Sequence, residues 1–286
     1  MMPQTTRRAV AGPRHTLGDI DVQFIADIIH SETGVRLNHS KKVMIQARLI
    51  RRVQTLGLAS LDEYVSYLRY SPNRMIERSA LVDVLTTHKT DFFRERHHFD
   101  YLRDTALPSL PEPRGLRMWR FWSAGCSTGE EAWTLAMVLA NYFGEESSWR
   151  FNITGTDISE MVVDRAIQAV YPQSATETIP FEYRRYVMKG RGRQAGNIRI
   201  VPELRKMVSF HRESLLDPAS SGDEPLEIIF CRNVVIYFDR DATALLVKRF
   251  VRRLIPGGYL FIGHSETLDH NSVGLQPVAP TVFRKI

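Results

Sequence analysis

Beyond residue 117, short apolar runs alternate with helical repeats, and no other feature constrains the fold as strongly. "MWRFWSAG" (118–125) reads as a strand running into a glycine turn, and "EEAWTLAMVLANYF" (130–143) as an amphipathic helix. "FNITGTD" (151–157) is a strand ending in an acid, and "SEMVVDRAIQAVY" (159–171) a helix capped by Ser159. The apolar strand "LEIIFCRN" (226–233), the helix "RDATALLVKRFVRRLI" (240–255) and the strand "GYLFIG" (258–263) complete the pattern. Such alternation predicts a doubly wound, mostly parallel α/β sheet with helices on both faces. Residues 180–212 depart from it. Short alternating strands around a glycine-rich turn predict a small antiparallel β insertion there.

Residues 19–85 carry only helical spacing and predict a small all-helical N-terminal domain, with residues 86–286 as the second domain. In "KKVMIQARLIRRVQTLG" (41–57), Val43, Ala47 and Ile50 share a face expected to pack on the domain, and Arg48, Arg51 and Arg52 share another. No Asp or Glu occurs between Glu32 and Asp62, so these arginines have no partner nearby in sequence. An electropositive patch is expected, facing nucleic acid, membrane lipid or an acidic protein. "LPSLPEPRG" (107–115) is expected to separate elements rather than form one. Residues 1–18 have arginines but no apolar core after them, and read as a disordered lead-in rather than a secretory signal. No apolar run approaches the ~18 residues of a membrane span. The two cysteines, Cys126 and Cys231, stand far apart, which suits a reducing cytoplasm and offers neither a disulfide framework nor zinc spacing.

A strand, a glycine turn and a helix make a ligand site in doubly wound folds. Gly125 and Gly129 bracket Cys126, Ser127 and Thr128, so Ser127 stands where a dinucleotide fingerprint has its middle glycine. Glu130 and Glu131 open the helix, where they would repel a pyrophosphate. A ligand that is neutral or cationic at that end is expected. S-adenosylmethionine fits, with an ammonium, a sulfonium and no phosphates. Asp157, at the end of the second strand, can accept both ribose hydroxyls of an adenosine. A plainer reading stands beside this one: the two glutamates complement the helix dipole and Asp157 is an N-cap.

Two further segments carry polar groups suited to one ligand. "TTHKTDFFRER" (86–96) offers His88, Thr90 and Arg94 if it lies across the top of the sheet. "IIFCRNVVIYF" (228–238) exposes Arg232 and Asn233 at the C-terminal end of a buried strand, where ligands bind. Many amino-methylating enzymes carry Asp/Asn-Pro-Pro-Tyr/Phe at this point. The run from Asn233 to Tyr237 lacks the prolines, which disfavours an amine substrate. Tyr237 is then a substrate-side residue or a packing aromatic. "GHSE" (263–266) reads as a structural turn near the site. His97 and His98 are adjacent and cannot share a metal on one helix face, so no metal is expected.

The segments "LTTHKTDFFRE" (85–95), "WSAGCSTGEEAW" (122–133), "IIFCRNVVIYFD" (228–239) and "GHSE" resemble the hallmark segments of the chemotaxis receptor methyltransferases, the CheR family. The resemblance covers nearly the whole chain. It implies a class I, Rossmann-like S-adenosylmethionine-dependent enzyme, yielding S-adenosylhomocysteine, that esterifies glutamate side chains on chemoreceptor cytoplasmic helices. It implies that His88 (where Asn is common), Thr90 and Arg94 touch the cofactor, with Arg94 near the transferred methyl. It implies that Ser214 and Leu215, in "ESLLD" (213–217), contact adenine. Arg232 and Asn233 would line the methionine end, and Arg94 and Tyr237 would orient the acceptor. Receptor methylation regions are acidic helical bundles, which suits the face of Arg48, Arg51 and Arg52. Some members hold a receptor's C-terminal tether peptide on the β insertion by strand addition. A cytoplasmic monomer is expected, with no bound nucleic acid and no membrane insertion. Glutamate ionises near pH 4.3, so the acceptor needs no general base, in keeping with the lack of an acid/base dyad. Two other readings stay open: a nucleic-acid methyltransferase, which the basic helix would suit, and a non-catalytic adenosyl-binding adaptor.

Overall fold

The computed structural model describes residues 16–37, 39–111, 117–217, 224–269 and 273–286. Contacts divide the chain into two compact units, Met1–Glu32 with Arg36–Thr86, and Thr33–Val35 with Thr87–Ile286. No helix among the described residues is long and apolar enough to cross a membrane.

The first unit holds α1 (Asp19–Thr33), α2 (Lys42–Thr55), α3 (Leu61–Tyr70) and α4 (Arg74–Leu85). Ser60 caps α3 by accepting from the Glu63 amide, and Glu63 reaches back to the Ala59 amide, a reciprocal arrangement that satisfies two donors at a helix start. The lead-in expected over 1–18 lies outside the described residues up to residue 15, but Leu17 is buried and its amide bonds to Gln46 Oε1. The ordered chain therefore begins before residue 19.

Helix α2 is rotated from the orientation expected. Ile45, Leu49 and Val53 face the core, while Val43 and Ile50 are 76% and 43% exposed. Arg48 and Arg52, four apart, flank Leu49 and turn inward with it. Arg48 Nη1 donates to the carbonyls of Leu85 (2.7 Å) and Thr86 (2.9 Å), where a cation offsets the negative end of α4. Arg52 is bidentate to Glu77 at 2.9 and 2.6 Å, and Glu77 also accepts from the Tyr64 hydroxyl at 2.7 Å. As expected, these partners do not come from nearby in sequence; Arg48 and Arg52 take them from α4 and the residue after it, remote in sequence, so they do not form the free basic face expected. Only Arg51 of the three is exposed. Arg52→Ala should strand the buried Glu77 carboxylate and destabilise this unit by about 3 kcal/mol, read by denaturant melting. Arg51→Glu should leave the melting midpoint unchanged.

The second unit is built on a seven-stranded sheet in the order β6-β2-β1-β7-β8-β10-β9. Along the chain come α5 (Arg96–Tyr101), a π-helical turn (Leu102–Ala106), α6 (Leu107–Ser109), β1 (Trp119–Ala124), α7 (Glu130–Phe143), β2 (Phe151–Asp157) and α8 (Glu160–Gln168). Then follow β3 (Val170–Pro172), β4 (Val187–Lys189), β5 (Asn197–Ile200), α9 (Pro202–Arg205) and β6 (Val208–Arg212). Last are β7 (Leu226–Cys231), α10 (Arg240–Arg253), β8 (Leu254–Ile262), β9 (Leu275–Ala279) and β10 (Val282–Lys285). Strands β6, β2, β1, β7 and β8 pair in parallel, and β10 runs antiparallel to both its neighbours.

Period-two alternation sorts the central strands between two apolar layers. Trp119, Phe121, Ile228, Phe230 and Phe261 join the layer that holds Trp133 and Leu135 of α7. Trp122, Ala124, Ile229, Leu260 and Ile262 join Leu246 and Phe250 of α10 on the other face. Two sequence boundaries shift. The antiparallel insertion is a separate sheet, β3-β5-β4, that begins at Val170, whereas Val208–Arg212 belongs to the main sheet beside β2. The helix through Arg96–Ser109 continues into the segment expected only to separate elements.

Candidate active site

Chain order reverses between β1 and β7: β2 and β6 lie on one side, and β8 on the other. Ligands of doubly wound sheets bind at the carboxyl ends of the strands at such a switch point. Every loop that carries a site residue expected from this unit's sequence opens at that edge or lies against it.

The glycine turn follows β1. Gly125 and Gly129 have φ of +80° and +94°, values costly for any residue with a Cβ. A Cβ on Gly125 would also lie 2.4 Å from Val234 Cγ2 of the β7 loop. The Gly125 and Cys126 amides both donate to Thr156 O, which ties the turn to β2. Ser127 is left-handed, with φ +51°. Its amide donates to Asp157 Oδ2 at 2.9 Å, and its hydroxyl donates to the His88 carbonyl at 3.0 Å. The 86–96 segment therefore does rest on the glycine turn, with His88 and Thr90 partly buried.

Asp157 Oδ1 accepts from the Ser159 amide at 3.1 Å, and the carboxylate, also held by the Ser127 and Ile158 amides, keeps lone-pair capacity for a ligand. Burial raises the Asp157 pKa, against the opposing effect of the Ser159 and Ser127 amides. Glu130 and Glu131, neighbours on α7, differ in role. Glu131 is buried and accepts from the Ser123 hydroxyl (2.6 Å) and Arg232 Nε (2.7 Å). Glu130 is partly exposed and accepts from Thr128 Oγ1 at 2.6 Å. Burial also raises its pKa.

Arg232 is buried, with its guanidinium over the Phe99 ring and Nη1 donating to the Arg94 carbonyl at 2.7 Å. Its reach is inward, to hold the backbone at Arg94 and the start of α7. Arg94 lies between Phe93 and Glu95, both left-handed at φ +55° and +54°, and its Nη1 donates to the Lys89 carbonyl at 2.8 Å. Leu215 is buried, and Ser214 Oγ accepts from the Leu216 amide at 3.4 Å in the loop after β6. The Glu213 amide pins that loop to the Asp157 carbonyl. Asn233 is left-handed too, at φ +60°, and Tyr237 stands 37% exposed in the turn that follows.

Two carboxylates that sequence reasoning did not single out tie these loops together. Glu95 accepts from His264 Nδ1 (2.9 Å), the His264 amide (3.2 Å) and Asn233 Nδ2 (3.3 Å). Burial alone would raise the Glu95 pKa, but the His264 hydrogen bond and the Arg232 charge outweigh it and lower it. Glu266, the acid of "GHSE", is buried and accepts from the amides of Asn233, Val234, Ile236 and Gly263. The only sequence signal was an acid just after a strand-ending glycine, which looks the same as a solvated turn.

Glu95, His97 and His98 bring possible ligating atoms within 4.8 Å of one another. His98 Nδ1 lies 3.3 Å from the Arg232 guanidinium, and burial followed by that charge lowers the imidazole pKa to about 3. The adjacent histidines, expected not to share a metal, thus do bring ligating atoms together, and the Arg232 cation stands beside His98.

A switch-point cradle with a carboxylate at the end of β2 and acids in place of a phosphate pocket is an α/β site of the kind that suits an adenosyl ligand. Residues 88–283 match the CheR methyltransferase, SAM binding domain, and residues 20–86 match the CheR methyltransferase, all-alpha domain. The chain belongs to the CheR family of S-adenosylmethionine-dependent methyltransferases. It is 39% identical to chemotaxis protein methyltransferase 2 of Pseudomonas aeruginosa, over 92% of each chain. It is 36% identical to the chemotaxis protein methyltransferase of Salmonella typhimurium, over 90% of this chain and 87% of that one. Against that of Borreliella burgdorferi, identity is 34% over 93% of this chain and 94% of the relative.

Proposed function

We propose that this enzyme, acting in the cytoplasm as a monomer, transfers methyl groups from S-adenosylmethionine to glutamate side chains on the cytoplasmic helices of methyl-accepting chemoreceptors. The observation that carries the cofactor half is the pairing of Asp157, whose backbone-held carboxylate keeps acceptor capacity, and Glu130 at the open start of α7. Asp157 would take the ribose hydroxyls, Ser214 and Leu215 the adenine, and His88, Thr90 and Asn233 the remaining polar contacts. Glu130, rather than the internally paired Glu131, would meet the ammonium.

Bound S-adenosylmethionine supplies an electrophilic methyl on a sulfonium. The acceptor glutamate is already ionised at neutral pH, so this chain's residues need only orient it and exclude water. Arg94 and Tyr237 are suited to that task, since Arg94 is held between left-handed residues and Tyr237 projects from a clamped turn. Tyr237→Phe should lower turnover about tenfold or more with cofactor affinity unchanged by calorimetry, whereas full activity would remove Tyr237 from the acceptor site.

On the receptor side, Arg51 is the exposed cation of α2 and the residue we assign to acidic receptor helices, with Arg48 and Arg52 shaping the helix behind it. The β3-β5-β4 sheet exposes Lys189, Arg191, Arg193 and Arg199 around its hairpin, a surface suited to an acidic tether peptide. The deciding experiment incubates the protein with labelled S-adenosylmethionine and the organism's receptor membranes. Alkali-released labelled methanol is expected. Label in RNA instead would favour a nucleic-acid methyltransferase, and bound cofactor without turnover would favour an adaptor.

A further inference from the structure

The chain beyond β7 cannot continue straight. Asn233 turns left-handed at φ +60°, and the reversal points the amides of Asn233, Val234 and Ile236 at one spot instead of into a ladder. Such a run of converging N–H groups makes a nest for an anion, and buried amides left unmet are costly. The anion comes from another loop. Glu266 Oε1 accepts from Val234 (2.8 Å) and Ile236 (3.3 Å), while Oε2 accepts from Asn233 (3.0 Å) and from Gly263 (2.5 Å). Close approach requires that Gly263 carry no side chain, since a Cβ there would meet Asn233 Nδ2 at 2.5 Å. Glu95 makes the second stitch, joining the residue after Arg94 to Asn233 and to His264.

We propose that Glu266 and Glu95 are positioning residues for methyl transfer, locking the Asn233–Tyr237 turn against the Arg94 segment so that the acceptor-orienting groups share one fixed geometry. The inference rests on the reading of Arg94 and Tyr237 given above. A carboxylate is required at Glu266 because four donors converge on two oxygens. A Gln there offers one oxygen and turns its own N–H groups toward backbone amides. The turn then loses its anchor while the glycine turn and Asp157 keep theirs, so the main defect should appear in turnover, and the single Asn233 contact should cost cofactor binding no more than about threefold.

The test measures kcat, KM for receptor membranes and calorimetric Kd for S-adenosylhomocysteine in wild type and variants of the full chain. Wild-type methanol release comes first: its absence would refute the functional reading and with it the positioning claim that rests on that reading, whereas release by wild type with unaffected variants would refute the positioning claim alone. Glu266→Gln should lower kcat ten- to a hundredfold with Kd within threefold. Unchanged kcat, or cofactor affinity falling in step with kcat, overturns the proposal. Should Glu266→Gln not fold, the decision rests on Glu95→Gln and on His264→Ala, whose side chain is 66% exposed. At least tenfold loss of kcat with Kd within threefold is expected in both, and wild-type kcat in both is fatal to the idea. Coupling gives a readout that general destabilisation would not move. If Glu266 acts through the turn that carries Tyr237, Glu266→Gln combined with Tyr237→Phe should be within about threefold of the slower single variant. Losses that multiply would mean the two residues act independently.

Discussion

Asp157→Ala is expected to weaken S-adenosylmethionine and S-adenosylhomocysteine binding by at least tenfold, and nearer a hundredfold, in calorimetric titration. Two charge-assisted hydrogen bonds to a ribose contribute about 1.5–3 kcal/mol each. The same carboxylate also accepts from the Ser127 and Ser159 amides, so its removal loosens the glycine turn as well as the ligand contact. Unchanged affinity would take Asp157 out of the site. The pH dependence has a definite sign. Burial raises the Asp157 pKa in the folded protein, and ribose hydroxyls donate to the ionised form. Affinity should therefore fall as pH drops through that raised pKa, at a higher pH than for an ordinary carboxylate. In the free protein the linkage runs the other way. A raised folded pKa favours the protonated folded state, so that stability is full at low pH and is lost as pH rises through the folded pKa. Bound cofactor should restore it.

Arg232→Met is expected to lower the stability of the cofactor-free protein by about 3–5 kcal/mol, because it leaves Glu131 buried without its cation. For a unit of this size that corresponds to a fall of about 10 °C in the thermal midpoint. Arg232→Lys should recover little, since one ammonium cannot reproduce the fork to Glu131 and the Arg94 carbonyl. An arginine that only touched cofactor would give the opposite pattern, with stability unchanged in the free protein and affinity lost. Scanning calorimetry with and without S-adenosylhomocysteine separates the two.

Much of the site was legible in the sequence because its signals are local. A strand, a glycine turn and a helix opening in acids lie within one short run, and Asp157 ends the next strand. The apolar run within "LEIIFCRN" and the helical repeats on either side carried the sheet as well. Boundaries failed where tertiary pairing outweighed local pattern: Val208–Arg212 resembles the insertion's short strands but pairs with β2.

Residue by residue, what the sequence determined was which loops meet at the switch point, since a doubly wound order brings the ends of β1, β2 and β7 together whatever the side chains do. What only the tertiary structure decided was the direction each charged side chain takes. Glu130 and Glu131 are adjacent on one helix, yet a single step in rotation sends one to the opening and the other into a buried pair with Arg232. Arg48 and Arg52 look like a solvated basic face until α4 supplies carbonyls and Glu77 from far along the chain. Glu95 and Glu266 read as surface acids until three loops fold their amides around them. The physical reason is common to all of them. Apolar periodicity depends on near neighbours, whereas the partner that makes it favourable to bury a charge comes from a segment brought near only by folding.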